Sequence, residues 1–176
     1  ANGKIGMKFE ADQADTPLIN ARIASNDDDV MLVTSSGRAI RFPATDVRVF
    51  NSRASVGVRG VKLSGDDTVV SMSIIRHFDA TSDERTAYLK MRRAVAGLAD
   101  DAETTEDEEV NANATISQER YAEMSAFENL ILTITAQGAG KLSSSHDYPV
   151  RGRGGMGVTA MDKAMRGGQI VASFPV

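Results

Sequence analysis

Asp29-Val30-Met31-Leu32-Val33-Thr34-Ser35-Ser36-Gly37-Arg38-Ala39-Ile40-Arg41-Phe42 joins an apolar, β-branched run to a glycine-ended turn and a second short run with two arginines. Branched and aromatic side chains suit a pleated strand, and Ser-Ser-Gly interrupts it, so the stretch reads as a tight hairpin. The pattern returns at Leu130-Ile131-Leu132-Thr133-Ile134-Thr135, Ala136-Gln137-Gly138 and then Lys141. Gly57-Val58 follows Gly37 by twenty residues, and Gly157-Val158 follows Gly138 by nineteen. Each unit closes on another strand pattern, Thr68-Val69-Val70-Ser71-Met72 in one and Gln169-Ile170-Val171-Ala172-Ser173-Phe174 in the other. Four short strands per unit of about 45–50 residues is the signature of a propeller-like array. A β-sandwich shares the short strands and glycine turns, but the matched glycine spacing favours repeated blades. The expected fold is therefore all-β, with partial propeller-like blades of four short antiparallel strands. Residues 4–9 and 18–23 read as the closing half of an earlier unit.

The units are separated by different material. Thr81-Ser82-Asp83-Glu84 fits a capping box, and Tyr88, Met91, Val95 and Leu98 follow at helical spacing. A second helix is expected from Ser117, with Tyr121 and Met124 on one face. Asp100 to Glu109 is an acidic run, read as a solvated loop; the functional alternative is a tongue that mimics DNA and competes for a basic surface. The domain reading is the end of one blade plus a complete blade over 1–80, an acidic helical insertion over 81–128, and a further blade over 129–176.

The chain has 176 residues and a net charge of −4, which argues at first against a polyanionic partner. The distribution reverses that inference. Residues 1–80 sum to zero, 81–128 to −7 and 129–176 to +3, so the acidity is confined to the insertion. A nucleic-acid binder needs a local basic surface, not a basic whole. Cysteine is absent, which excludes disulfides and thiolate metal sites and fits a reducing compartment. No stretch approaches the roughly 20 apolar residues of a membrane span. Ala1-Asn2-Gly3-Lys4 does not open a signal peptide and reads as a start inside a longer chain.

The blade beginning at Asp29, with Val56-Gly57-Val58-Arg59-Gly60-Val61-Lys62-Leu63 and Gly65-Asp66-Asp67-Thr68-Val69-Val70-Ser71, resembles the C-terminal domain of the bacterial DNA gyrase A protein. Gly138-Ala139-Gly140-Lys141, Tyr148-Pro149-Val150 and Gly157-Val158 resemble the next blade. The resemblance covers all but residues 79–128. It implies a β-pinwheel, in which strands are exchanged between neighbouring blades and duplex DNA bends around a basic outer rim. In the intact type II topoisomerase that wrap supports ATP-dependent negative supercoiling. The implied partners are double-stranded DNA, the rest of gyrase A, and gyrase B in an A2B2 complex, in the bacterial cytoplasm with the nucleoid. Cleavage, ATP and magnesium belong to other parts of the enzyme, so this segment is expected to be non-catalytic and free of cofactor, and Tyr88, Tyr121 and Tyr148 inherit no cleavage role. Arg151-Gly152-Arg153-Gly154-Gly155-Met156-Gly157 matches four of the seven positions of the family's wrapping box, at Arg153, Gly154, Gly155 and Gly157. It reads as the equivalent loop of a later blade. The corresponding protein of topoisomerase IV shares the architecture and remains an alternative, as does a propeller-like platform for protein partners.

Bending duplex DNA without reading its sequence requires cations spread along a curved edge and close backbone approach. The candidates are Arg38, Arg41, Arg48, Arg53, Arg59 and Lys62 in one blade, and Lys141, Arg151, Arg153 and Arg166 in the next. The competing reading is that some of them only solvate strand edges. Ser143-Ser144-Ser145-His146-Asp147 holds the residue types of a nucleophilic triad, but sequence neighbours rarely meet in that geometry, and Asp147 reads as a turn cap. His77 and His146 stand without metal-ligand spacing. A partial array is expected to self-associate through open blade edges or to shield them with the insertion.

Overall fold

The computed structural model describes residues 2–9, 16–97, 113–162 and 167–176. Strands β1 (Asp28–Thr34), β2 (Arg38–Pro43) and β3 (Val69–Arg76) form the first unit. Helices α1 (Ser82–Val95) and α2 (Gln118–Phe127) follow, and then β4 (Leu130–Thr135), β5 (Gly140–Ser144), β6 (Val158–Thr159) and β7 (Ile170–Pro175). The two hairpins are built alike. Gly37 and Gly138 have φ of 91° and 83°, a left-handed conformation that a side chain resists. Each glycine amide donates to a threonine carbonyl, Thr34 or Thr135, at 3.0 Å. The same threonine hydroxyls accept from the amides of Arg38 and Ala139 at 3.2 and 3.1 Å.

β1 pairs antiparallel with β2 and β3, and β4 does the same with β5 and β7. The fourth strand of the first sheet comes from the other unit, because β6 pairs with the outer side of β2 through Arg38↔Thr159 and Ala39↔Val158. The sheet orders are therefore β3-β1-β2-β6 and β5-β4-β7, and a strand is exchanged between blades. Gly157 admits β6: its φ is +69°, and a Cβ there would lie 2.2 Å from the Ala39 carbonyl oxygen. The second sheet has three strands where four were expected, since nothing among the described residues takes the place beside β5 that β6 takes beside β2.

The main core lies between the units. Met31, Val33, Ala39 and Ile75 pack with Ile131, Tyr148, Val158, Ala160, Met161 and Ile170. Removing these side chains from water is the main force joining the two sheets. The innermost strands β3 and β7 also meet, with the Ser71 hydroxyl donating to the Ser173 carbonyl. A smaller cluster of Val30, Ile40, Phe42 and Val61 covers another face of the first sheet.

Several expectations change. Residues 57–62, 4–9 and 18–23 form no regular strand. A strand persists by pairing, and these segments find only scattered backbone bonds, such as the Lys8 amide to the Ser55 carbonyl at 3.2 Å. The capping box is present as read, with Thr81 accepting from the Glu84 amide and Glu84 accepting from the Thr81 amide. Ser117 caps α2 by accepting from the Arg120 amide. The inner face of α1 is centred on Ala87 and Tyr88, whereas Val95 is 73% exposed; Leu98 and the acidic run 100–109 lie outside the described residues. The helices pack against the turn at 145–147, and no strand among the described residues pairs with the outer side of β5.

Candidate nucleic-acid interface

Strand exchange brings basic residues from both units to one edge. Outward of β2 runs the loop 150–157, tied on by the Arg151 amide to the Arg41 carbonyl at 2.8 Å. Residues 59–62 lie along its other side, where the Gly154 amide donates to the Gly60 carbonyl at 2.7 Å and the Lys62 amide to the Gly155 carbonyl at 2.8 Å. Arg59, Lys62 and Arg151 are exposed on this edge. Arg153 is half-buried and acts as the staple. Its Nη1 donates to the Arg59 carbonyl at 2.7 Å, its Nε to the Asp46 carbonyl at 3.2 Å, and its amide to the Asp46 carboxylate at 3.3 Å.

Arg48 is exposed two residues beyond Asp46, with its guanidinium 4.5 Å from the Phe50 ring centre. A cation over an aromatic face gains roughly 0.5–1 kcal/mol at exposed sites, enough to favour one orientation without burying the charge. Arg53 is exposed in the loop that follows. Lys141 lies half-buried on β5, in the other sheet, and Arg166 lies outside the described residues.

Two candidates belong to the architecture instead of the edge. Arg41 is 3% exposed. Its Nε donates to Asp29 at 2.7 Å, Nη1 to the carbonyls of Ser145 at 2.8 Å and Tyr148 at 3.4 Å, and Nη2 to the Arg76 carbonyl at 3.1 Å. A guanidinium enclosed in this way cannot reach a phosphate, so its place among the DNA-contacting residues is withdrawn. Arg38 fastens the exchanged strand: Nε and Nη2 donate to the carbonyls of Met156 and Gly157, and Nη1 to the Thr159 hydroxyl. Its charge adds to the field of the edge while its donors hold the loop.

The buried carboxylate that holds Arg41 was missed in the sequence. Asp29 is fully buried and also meets His77 Nδ1 at 2.8 Å, whose Nε2 meets Asp79 at 3.0 Å. Burial pulls the His77 pKa down, but the two carboxylates outweigh it and hold the imidazole above its usual value. Asp67 is the other organised acid. Partial burial pushes its pKa up, yet hydroxyl and amide donors from Ser36, Thr34 and Ser35 prevail and bring it to about 2. The Ser145-His146-Asp147 run is a 3-10 turn in which each group serves a different backbone atom. The Ser145 hydroxyl accepts from the Asn129 amide, His146 Nε2 meets the Met124 carbonyl, and Asp147 accepts from the Ser144 amide. These contacts do not make a triad. The Tyr148 hydroxyl bonds Ser143 inside the core, and burial pushes its pKa up to about 12.

Two sheets of related build, one completed by a strand from the other unit, define a blade array of the β-propeller class, in its strand-exchanging pinwheel form. The sequence profile described as "DNA gyrase C-terminal domain, beta-propeller" matches residues 28–76 and 129–176, and this chain belongs to that family. Both helices fall outside the matched residues. The DNA gyrase A protein of Granulibacter bethesdensis is 45% identical over 188 residues, and that of Rickettsia bellii 38% over 176 residues. Each alignment covers 100% of this chain but only 20% and 19% of the relative, so the chain spans about a fifth of those proteins. Among solved structures, a DNA gyrase A C-terminal domain superposes with a TM-score of 0.50 at 19% identity, over 89% of this chain and 34% of that one. The C-terminal domain of a DNA topoisomerase IV gives 0.51 at 18% identity, over 86% and 32%. At such identities the likeness concerns the fold alone.

Proposed function

We propose that this chain is a sequence-tolerant module that binds and bends duplex DNA as part of a gyrase A protein. The observation that carries the reading is the gathering of Arg59, Lys62, Arg151 and Arg153, from two sequence units, along one outer edge beside a glycine-rich backbone. Phosphates attract such an edge regardless of sequence, and each neutralised phosphate releases counterions. Glycines let the loop lie close to the duplex and offer amide donors. Arg48, Arg53 and Lys141 extend the cationic surface, Arg153 positions it, and Arg166 remains a candidate from sequence.

In the intact enzyme the bent segment would be presented for strand passage, supporting ATP-dependent negative supercoiling by an A2B2 complex in the bacterial cytoplasm. Cleavage, ATP and magnesium are assigned to other parts of that assembly, with no catalytic or cofactor role here. The assignment to gyrase over topoisomerase IV rests on the gyrase A relatives; the fold is shared by both.

The test is a salt titration of binding to labelled duplexes of unrelated sequence. Affinity should fall linearly with salt on logarithmic axes, by roughly 0.9 units of slope per phosphate contact. Arg59→Glu with Arg151→Glu should weaken all duplexes alike and flatten that slope. Unchanged affinity in this variant would remove the edge from the DNA path.

A further inference from the structure

The geometry points to the helical insertion as a brace that sets the angle between the two sheet units, with His146 as the residue it grips. The inference rests on the DNA-bending reading for its purpose, but not for its physical content. α1 and α2 enter the chain where β3 ends and β4 begins, at the joint between blades. From the first unit they take hold of the end of β3 and the segment after it. Arg76 donates to the Ala126 carbonyl at 2.8 Å and lies 5.2 Å from the Phe127 ring centre, while Arg120 donates to the Asp79 carbonyl at 2.8 Å and sits 4.8 Å over Phe78.

From the second unit they enclose His146, which is 2% exposed. Its Nε2 lies 2.9 Å from the Met124 carbonyl, and its ring stands edge-on to Tyr88 at 4.9 Å and Phe78 at 5.8 Å. Tyr88 stacks on Tyr121 at 5.0 Å, and Met124 is fully buried. The helices are bound to each other by Arg120–Glu84 at 2.8 Å. The turn that carries His146 is also held by Arg41 of the first unit, through the Ser145 carbonyl. Three bodies thus meet on one turn.

The repeat supplies an independent argument. The corresponding 3-10 turn of the first unit is Ala44–Asp46, and Thr45 is exposed where His146 is buried. Among the described residues no α-helix precedes β1, whereas α1 and α2 precede β4. The large, ring-contacting side chain occurs in the turn that the helices cover, so turn and insertion form a matched pair. A curved path for DNA needs successive outer edges at a fixed mutual angle. A joint clamped on both sides supplies that angle, whereas a joint held by strand exchange and core contacts alone would sample a range.

The absence of cysteine allows direct measurement. Spin labels at Asp66→Cys and Val171→Cys, exposed positions in the two units, report the inter-unit distance in the chain without DNA. Two brace variants are compared with it: His146→Thr, which installs the first unit's turn residue, and Tyr88→Ala in α1. Hydrogen exchange of the helix amides shows whether the brace has loosened. The expected result is at least tenfold faster exchange in α1 and α2 with the sheet amides unchanged. The distance distribution should widen about twofold, and end-to-end energy transfer in a bound, labelled duplex should fall while affinity changes less than threefold.

An unchanged distance distribution with loosened helices would overturn the brace. Unchanged helix protection in both variants would overturn the role of His146 and Tyr88. If the unmodified chain fails to bind duplex DNA at all, the proposed function falls, and the DNA-free distance measurement still decides the brace.

Discussion

The first unit, β1 to β3, and the second, β4, β5 and β7, share their hairpins down to the threonine that caps each turn, yet they treat their outer strands differently. Beside β2 lie an exchanged strand, the loop that follows Val150 and the arginine that fastens them. Beside β5 no strand lies among the described residues, and Leu142 on it is 53% exposed. The side chains follow the same division. Superposing the turn glycines aligns Asp29 with Leu130 and Arg41 with Leu142, so the positions of a buried ion pair in one unit hold two uncharged, incompletely buried leucines in the other. A repeat therefore conserves backbone geometry more strictly than the chemistry of its contacts, because each blade faces a different neighbour.

The largest effect is expected at this pair. Arg41→Leu leaves Asp29 buried and charged beside His77, and leaves the Ser145 and Arg76 carbonyls without that donor. Breaking one half of a buried pair costs about 3–5 kcal/mol, so urea denaturation should show a loss of that size. Adding Asp29→Leu reproduces the second unit's pair and should recover half or more of it, since leucines fill the space without a charge to desolvate. If the double variant is as unstable as the two single losses added together, the charges are not coupled and the comparison with the leucine pair fails.

Next come the two glycines, Gly57 and Gly157, that occupy matching places in the repeat. Gly157 has a backbone carbonyl 2.2 Å from where a Cβ would stand, whereas Gly57, at φ +85°, meets only the flexible tip of Met7 at 2.8 Å. Gly57→Ala should cost about 1–2 kcal/mol, the penalty of a left-handed alanine. Gly157→Ala adds the displacement of β6 and should approach about 3 kcal/mol, among the larger single-residue losses. Thermal unfolding of the two variants measures the difference, and equal losses would mean that strand exchange contributes nothing beyond backbone strain.

These pairs also mark what the sequence could reveal. Glycine spacing and helix starts are local, so the hairpins, the capping box at Thr81 and the beginning of a second helix at Ser117 were readable. The blade class followed from the same repeats, and the family from the resemblance of the motifs at 29–42 and 56–71. Burial of a charge is not local: nothing near Arg41 distinguishes it from Arg48, because its carboxylate lies on the neighbouring strand and its carbonyl partners lie at the end of β3 and, for Ser145 and Tyr148, beyond the insertion. For the same reason Arg38 and Arg153 were readable as cations but not as fasteners. Val95 kept helical spacing with Tyr88, yet the docked face of α1 is set by where His146 stands, which no periodicity encodes. The missing regular strand at 57–62 has a similar cause, since a strand pattern is realised only where a partner edge lies in register.

The smallest expected effect separates the units by pH. Asp67 anchors the first hairpin by accepting from the Ser35 and Ser36 hydroxyls and the Ser36 amide, whereas the aligned turn of the second unit presents Gly167-Gly168 to Gln137. With its folded pKa depressed from 3.8 to about 2, the Asp67 carboxylate contributes stability that is fully present above its unfolded value. That stability is lost as pH falls from about 4 through about 2. Because the group is partly solvated, the contribution is about 1–2 kcal/mol, below the full conversion of the shift. Asp67→Asn should remove this part of the acid dependence, and amide exchange should show hairpin β1–β2 opening before β4–β5 as the unmodified chain is acidified. Simultaneous opening of both hairpins in the unmodified chain would mean that the carboxylate does not set the acid limit of its own blade.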